Sequence, residues 1–115
     1  MAAEKNFENR LKKFLEDEDC WFVKFFANAY TKSGIPDLLV CCNGYFVGVE
    51  VKAPNGKPSE LQKWNIKKIN ESGGIGVVLY PDQFDDFKKL IEWLNIGQWI
   101  NAWKFAEKIN ERWDK

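Results

Sequence analysis

The sequence contains no histidine, and this absence removes much of the familiar catalytic chemistry. Histidine is the base of Ser-His-Asp and Cys-His nucleophile systems, and it is the commonest metal ligand. If this chain is an enzyme, its chemistry must therefore come from carboxylates, lysines, backbone groups or a bound hard metal ion.

Cysteine is also scarce, since the 115 residues include only Cys20, Cys41 and Cys42. An odd count, with no second pair at ligand spacing, argues against a zinc site. Cys41 and Cys42 are adjacent in a strand-like run, so their side chains should point to opposite faces. We expect all three to be small, buried, apolar residues in a reducing compartment.

Long apolar runs and an excess of one charge are missing too. No apolar run approaches the roughly 20 residues that span a bilayer, and no signal peptide is visible, so we expect no membrane partner. Lysine plus arginine equals aspartate plus glutamate, at 17 each, so net charge does not indicate a nucleic-acid partner. Any anion-binding surface must be local.

Apolar residues make up 45% of the chain and aromatic residues 16%, which predicts one globular domain over 1–115. Apolar spacing predicts the order α, β, β, β, α, β, α, α. The predicted bounds are 5–18, 20–26, 37–42, 45–52, 60–71, 75–80, 82–94 and 98–113. Asn43-Gly44 predicts a tight hairpin, and Asp82 is expected to cap its helix. The fold class is α/β (α+β): a mixed four-stranded sheet flanked by helices, with extra C-terminal helices.

Two strand-like runs, SGIPDLLV and YFVGVEVK, carry charge where a buried strand usually has none. Glu50 and Lys52 are two residues apart and therefore project from one face. Counting outward from the hairpin, Cys42 faces Tyr45 and Asp37 falls opposite Glu50. The sequence thus predicts two carboxylates and one ammonium group at one point of an otherwise apolar sheet.

Two carboxylates this close repel each other unless one keeps a proton or a cation lies between them. Mg²⁺ or Mn²⁺ fits, because a hard ion takes oxygen ligands from carboxylates, waters and phosphates. We expect metal ligation by Asp37, Glu50 and the backbone carbonyl of Val51. Lys52 would face a coordinated water or the phosphate group.

Each of these residues also has a purely structural interpretation. Asp37 follows a proline and could be a turn residue. Glu50 and Lys52 could protect an edge strand, or form a salt bridge that contributes less than about 1 kcal/mol. The hairpin geometry favours the site over these alternatives.

Gly34-Ile35-Pro36-Asp37, then Glu50-Val51-Lys52, then Ser59-Glu60-Leu61-Gln62 resembles the PD-(D/E)XK nucleases, and more narrowly the stand-alone VRR-Nuc type of phages and bacteria. The resemblance covers about 7–80, and the Trp-rich C-terminal end matches no motif. It implies a restriction-endonuclease-like fold and metal-dependent hydrolysis of DNA phosphodiester bonds. It also implies a homodimer similar to Holliday-junction resolvases, in the cytoplasm of a bacterium or a phage-infected host.

The resemblance further implies catalytic roles for Asp37, Glu50, Lys52, Gln62 and Glu8. Two of these residues also have structural alternatives, and for Glu8 the resemblance favours the site role. Gln62 could instead complete a capping box with Ser59, and we expect it to serve one role and not both. Glu8 could be a solvated residue that forms charge pairs with lysines of its own helix.

Several side chains near the proposed site could contact DNA, and the predicted contacts are Lys24, Tyr30, Lys32, Lys57 and Lys63. For any single lysine, ordinary solvation is the alternative. Tyr30 could stack on a base or sugar. The Trp-rich final helix or the first helix could form the dimer interface, although a Trp stripe is also typical of a core.

Three functions follow as hypotheses. The first is a Mg²⁺- or Mn²⁺-dependent, structure-selective DNA endonuclease, with Holliday-junction resolution by a homodimer as one form of it. The second is a sequence-specific restriction-type nuclease acting on plain duplex. The third is a module that binds branched DNA without catalysis.

Overall fold

The computed structural model describes residues 2–114, and its element order is the predicted one. The elements are α1 (Ala2–Asp17), β1 (Trp21–Lys24), β2 (Leu38–Cys42), β3 (Tyr45–Val51), α2 (Glu60–Glu71), β4 (Ile75–Leu79), α3 (Phe84–Asn95) and α4 (Trp99–Asn110). A short 3₁₀ turn, Pro81–Gln83, leads into α3. No helix within residues 2–114 combines the length and the apolar character needed to cross a membrane.

The four strands form one mixed sheet in the order β1-β2-β3-β4. β2 pairs antiparallel with both β1 and β3, and β3 pairs parallel with β4. Helix α2 makes the crossover that a parallel pair requires. The predicted α+β fold, a mixed four-stranded sheet flanked by helices, is confirmed.

The β2–β3 hairpin sets the register on which the site depends. Asn43 and Gly44 both have positive φ angles, 51° and 85°, as a tight primed turn requires. The pairing runs from Cys42 opposite Tyr45 to Leu38 opposite Val49. One further step along both strands brings the residue before β2 opposite Glu50, as predicted.

The two faces of the sheet are covered differently. One face packs against α1, α3 and α4 through the main apolar core, to which β3 contributes alternate buried valines, Val47, Val49 and Val51. The other face carries α2, and glycines allow it a close approach. A Cβ added to Gly76 would lie only 2.9 Å from the backbone oxygen of Ile66 in α2. Glu50, the charged residue of β3, therefore lies on the face that α2 covers.

The cysteines differ from the expectation of three free, buried thiols. Cys20 and Cys42 are buried and are paired as a disulfide, whereas Cys41 is free and exposed. Because Trp21 pairs with Cys41, the residues just outside that pair come together, and the two Cα atoms lie 4.9 Å apart. The predicted opposite orientation of Cys41 and Cys42 is confirmed.

The prediction that Asp82 caps α3 is wrong. The helix begins at Phe84, after the 3₁₀ turn that contains Asp82, and no side chain caps it. The Asp82 carboxylate instead lies 2.6 Å from the Arg112 guanidinium near the C-terminus. Asp82 therefore ties the turn to the end of the chain.

Candidate functional site

The predicted convergence of charged residues occurs at the end of the β2–β3 hairpin away from its turn. Asp37 immediately precedes β2, and its Oδ2 atom accepts a hydrogen bond from the Val51 N–H at 2.9 Å. The carbonyl of Asp37 also accepts a bond from the Phe25 N–H at 2.8 Å. Asp37 is thus hydrogen-bonded to the backbone on both sides, at Phe25 and at Val51, and is not a free turn residue.

Glu50 is the most unusual residue of the site, since it is a carboxylate with only 3% exposure. Its Oε2 atom accepts a hydrogen bond from Gln62 Nε2 at 3.1 Å and lies 3.4 Å from Lys52 Nζ. Its Oε1 atom is buried without any hydrogen-bond partner. Buried polar atoms are rarely left without partners, so Oε1 marks a position where a further group could bind.

The pKa of Glu50 is also unusual. Burial, followed by the nearby charge of Asp37, raises the pKa of Glu50 to about 8, although Lys52 partly opposes this. Below that pH, the metal-free protein therefore keeps a proton on Glu50. A cation placed between the two acids would have the opposite effect and favour ionisation.

Gln62 makes the contacts of both interpretations that we treated as alternatives, since it completes the capping box and also reaches Glu50. Its Oε1 atom accepts a hydrogen bond from the Ser59 N–H at 2.8 Å, while Ser59 Oγ accepts one from the Gln62 N–H at 3.1 Å. Its Nε2 atom meanwhile donates to Glu50. The expectation of a single role was wrong, because the two ends of the amide point in different directions. The cap thereby fixes the donor that holds Glu50.

Glu8 reaches the site through Lys24. Glu8 is 4% exposed. The Nζ atom of Lys24 lies 2.7 Å from Glu8 Oε1 and 3.4 Å from Asp37 Oδ1. Lys12, four residues along α1, lies 3.2 Å from the other oxygen of Glu8. Glu8 therefore forms the charge pair of the alternative interpretation, but it is buried and not solvated, and one shared ammonium group also connects it to Asp37.

This lysine-centred network shifts two pKa values. Burial alone would raise the pKa of Glu8, but hydrogen bonds and charge from Lys24 and Lys12 hold it below its usual value. Burial would likewise lower the pKa of Lys24, but the hydrogen bond with Glu8 and the charges of Asp37 and Glu8 raise it. Glu8 and Lys24 are therefore both charged near neutral pH, unlike Glu50.

The donors present fit a hard cation held by few protein ligands. Among residues 2–114, no group of three or more His, Cys, Asp or Glu side chains is arranged to hold an ion. The site offers two carboxylates, Asp37 and Glu50, together with the Val51 carbonyl. That carbonyl lies on the Asp37 side, because the N–H and C=O of one strand residue project the same way. Mg²⁺ is commonly held by one or two carboxylates plus waters and phosphate oxygens. The partnerless Glu50 Oε1 matches that requirement.

The residues predicted to contact DNA fall into two groups. Lys24 is engaged with Glu8 and Asp37, and Lys63 lies 2.9 Å from the exposed Glu60 carboxylate. The other three, which are Tyr30, Lys32 and Lys57, are exposed. Tyr30 is 98% exposed. The structure thus gives Lys24 a role in balancing the acids and leaves the exposed residues free for a ligand.

Sequence reasoning missed Trp64 and Asn65 on α2. Trp64 is a large aromatic residue that would normally be expected in the core, yet it is 50% exposed. Asn65 is buried, and its Nδ2 atom donates to the Ser33 carbonyl at 3.2 Å, which ties the segment before Asp37 to α2. The available signal was a polar residue at a helix position flanked by apolar ones.

The Trp-rich end of the chain does not extend the site. Trp99 and Trp103 of α4 stack in parallel with ring centroids 5.4 Å apart, and both pack against the core. The sequence matches no protein-family model and no curated protein. Any proposal about function therefore rests on the geometry and chemistry of these residues and on the motif resemblance.

Proposed function

We propose that this protein is a divalent-metal-dependent endodeoxyribonuclease of the PD-(D/E)XK type, related to the stand-alone VRR-Nuc proteins. The observation that carries the proposal is the Glu50 carboxylate, buried beside Asp37 and Lys52 with one oxygen unpartnered. A purely structural ion pair would satisfy both oxygens. A bound cation would supply the partner that Glu50 Oε1 lacks.

The proposed reaction is hydrolysis of a phosphodiester. A water oxygen bonds to phosphorus, the bond from phosphorus to one ester oxygen breaks, and the proton lost by the water ends on the leaving oxygen. Asp37, Glu50 and the Val51 carbonyl would hold a Mg²⁺ or Mn²⁺ ion. When bound, such an ion supplies positive charge against the phosphate oxygens and makes a coordinated water more acidic.

Lys52 is the protein's own cationic group in this reaction. Its side chain is 15% exposed and lies 3.4 Å from Glu50. An ammonium group held this firmly can stabilise the negative charge that develops around phosphorus. Gln62 positions Glu50, and Lys24 with Glu8 positions Asp37, so these three are positioning residues under this proposal.

The proposed substrate is branched DNA such as a four-way junction, and the proposed assembly is a homodimer. Both come from the resemblance. Symmetric cutting of a junction needs two sites related by a two-fold axis. The chain has no net charge, so DNA binding must use local positive charge such as Lys32 and Lys57.

The test is cleavage of a labelled four-way junction, a flap and a plain duplex, each with Mn²⁺, Mg²⁺ or EDTA. We expect metal-dependent cutting of branched DNA, lost in Asp37→Asn, Glu50→Gln and Lys52→Met. Glu60→Gln is the matched control, because its carboxylate is 90% exposed on the same helix that carries Gln62. It should cut like the unaltered protein.

Two other outcomes would contradict the proposal in different ways. Cutting of plain duplex at one sequence, in preference to branched DNA, would indicate a restriction-type nuclease. Binding of branched DNA without cutting, with either metal and over a range of pH, would indicate a non-catalytic module. A monomer by size-exclusion chromatography, both alone and with a junction, would remove the dimer from the proposal.

A further inference from the structure

The exposed indole of Trp64 lies between two lysine ammonium groups. Lys32 Nζ is 5.7 Å from the ring centroid, and Lys68 Nζ is 5.9 Å from it. Half of the Trp64 surface is open to solvent. A large aromatic face flanked by two cations matches the chemistry of a nucleotide, which joins a planar base to an anionic phosphate.

A groove of about 470 Å³ runs beside this indole. No carboxylate lines it, and its lining residues are Lys32, Phe46, Trp64, Asn65, Lys68, Ile69, Ser72 and Gly74. Phe46 is itself 43% exposed. The carboxylate of Glu71 lies 3.8 Å from Lys68, but both side chains of this pair are more than half exposed. The groove thus combines apolar surface with positive charge.

The groove and the acidic site are built on the same two parts of the chain, helix α2 and the segment that precedes Asp37. Lys32 belongs to the segment that leads to Asp37, and Asn65 holds this segment against α2. A Cβ added to Gly34 would lie 2.8 Å from Asn65 Nδ2, so the segment packs closely on the helix. The same helix carries Gln62, which bonds to Glu50. A strand bound in the groove would therefore be fixed relative to the site.

We propose that this groove binds unpaired nucleotides, with a base stacked on Trp64 and phosphates contacting Lys32 and Lys68. Base faces are covered by stacking inside a duplex, so such a platform acts only on a strand whose bases are unpaired. The inference rests on the proposed nuclease function. It specifies the substrate as DNA that carries a single-stranded segment next to the cut.

The test is binding without cleavage, measured by fluorescence anisotropy in EDTA. The probes are a labelled thymidine oligonucleotide of about 16 residues and a duplex of equal length. Trp64→Ala should weaken oligonucleotide binding about ten-fold, which is the lower part of the range for loss of one stacked base, and should leave duplex binding unchanged. Trp64→Phe should retain most of the affinity.

The lysines have a separate signature in the salt dependence. Replacing Lys32 and Lys68 with Gln should lower the magnitude of the slope of log K against log salt by about 1.4, or about 0.7 for each lost phosphate contact. Trp64→Ala should leave that slope unchanged. The controls are Trp21→Ala, an indole that is 65% exposed, and Lys104→Gln, an exposed lysine on α4.

The inference is overturned if Trp64→Ala binds the oligonucleotide normally, or if Trp21→Ala weakens it equally. Because EDTA removes the metal, failure of the nuclease proposal would leave this measurement intact. Conversely, a folded Trp64→Ala protein that still cuts branched DNA without loss of oligonucleotide affinity would refute the groove alone. Urea unfolding of each variant confirms that binding is compared between folded proteins.

Discussion

Glu50→Gln is the most informative perturbation of the metal-free protein. The amide has nearly the shape of the carboxylic acid and can still accept the hydrogen bond from Gln62. It cannot ionise, however, so it removes the conflict with Asp37. The variant should therefore be more stable than the unaltered protein wherever Glu50 would be forced to ionise.

The magnitude follows from the difference in pKa between the folded and unfolded states. The pKa of Glu50 is about 8 in the folded protein, against the ordinary 4.5. Between these values the folded state binds more protons, so the free energy of unfolding falls as pH rises. At about 1.4 kcal/mol for each pH unit, the fall reaches at most about 5 kcal/mol.

Because the chain has no histidine, no imidazole titration overlaps that of Glu50 between pH 5 and 8. The pKa of Glu8 is lowered, so the stability that Glu8 contributes is present above 4.5 and is lost only at lower pH. The pKa of Lys24 is raised, so its contribution is present below 10.5 and is lost only at higher pH. Neither residue obscures the titration of Glu50.

The assay is urea unfolding in EDTA, followed by tryptophan fluorescence, at several values between about pH 5.5 and 8.5. The unaltered protein should lose stability steadily as pH rises, while Glu50→Gln should show an almost flat profile. Glu16→Gln, an exposed carboxylate on α1, should keep the steep profile. Parallel profiles for the unaltered protein and Glu50→Gln would refute the reasoning.

The same unfolding experiment can be repeated with Mn²⁺ to test whether metal binding depends on the ionisation of Glu50. A cation binds the ionised carboxylate, so its binding competes with the proton on Glu50. Mn²⁺ should therefore stabilise the unaltered protein more near pH 8 than near pH 5.5. Glu50→Gln should lose most of this response. Equal stabilisation of both proteins would place the ion elsewhere.

Three further predictions concern the supports of the site. Lys24→Met should cost about 1–3 kcal/mol near neutral pH; because the pKa of Glu8 should no longer be held so low, the difference from the unaltered protein should shrink as pH falls below 4.5, which urea unfolding at several pH values would measure. Gly76→Ala should cost about 1–3 kcal/mol in urea unfolding, because the new Cβ meets the α2 backbone at 2.9 Å. Ser59→Ala should cost about 1 kcal/mol as a lost cap; it keeps the backbone N–H that holds Gln62 Oε1, so Mn²⁺ affinity measured by calorimetry should be unchanged. Gln62→Ala should lower both the stability and the Mn²⁺ affinity.

The parts of the fold that sequence could predict are those set by local pattern. Asn43-Gly44 demands a tight turn, and alternating valines assign each face of β3, so the pairing of Asp37 with Glu50 follows by counting. The glycine and proline positions around α2 fix its bounds in a similar way. These features need no knowledge of distant contacts.

The features that sequence did not predict depend on contacts between distant segments. Lys24 lies 13 residues from Asp37 and 16 from Glu8, and no periodicity connects the three. Cys20 meets Cys42 only because β1 pairs with β2 in one register. Gln62 could be assigned one role or the other, but its two bonds become visible only when α2 is placed over Glu50.

The arrangement of cations around the acids is the argument for the proposed catalytic site and against a purely structural ion pair. Asp37 receives the Val51 N–H and shares Lys24 with Glu8, so its charge is compensated. Glu50 is buried deeper, and its Oε2 atom contacts only Lys52 and the Gln62 amide. Its Oε1 atom has no hydrogen-bond partner. Burying a charge without full compensation usually destabilises a fold, and an apolar residue of similar size would be as stable or more so. Under the proposed function, the carboxylate in this position serves to bind a cation and does not serve to hold the sheet together.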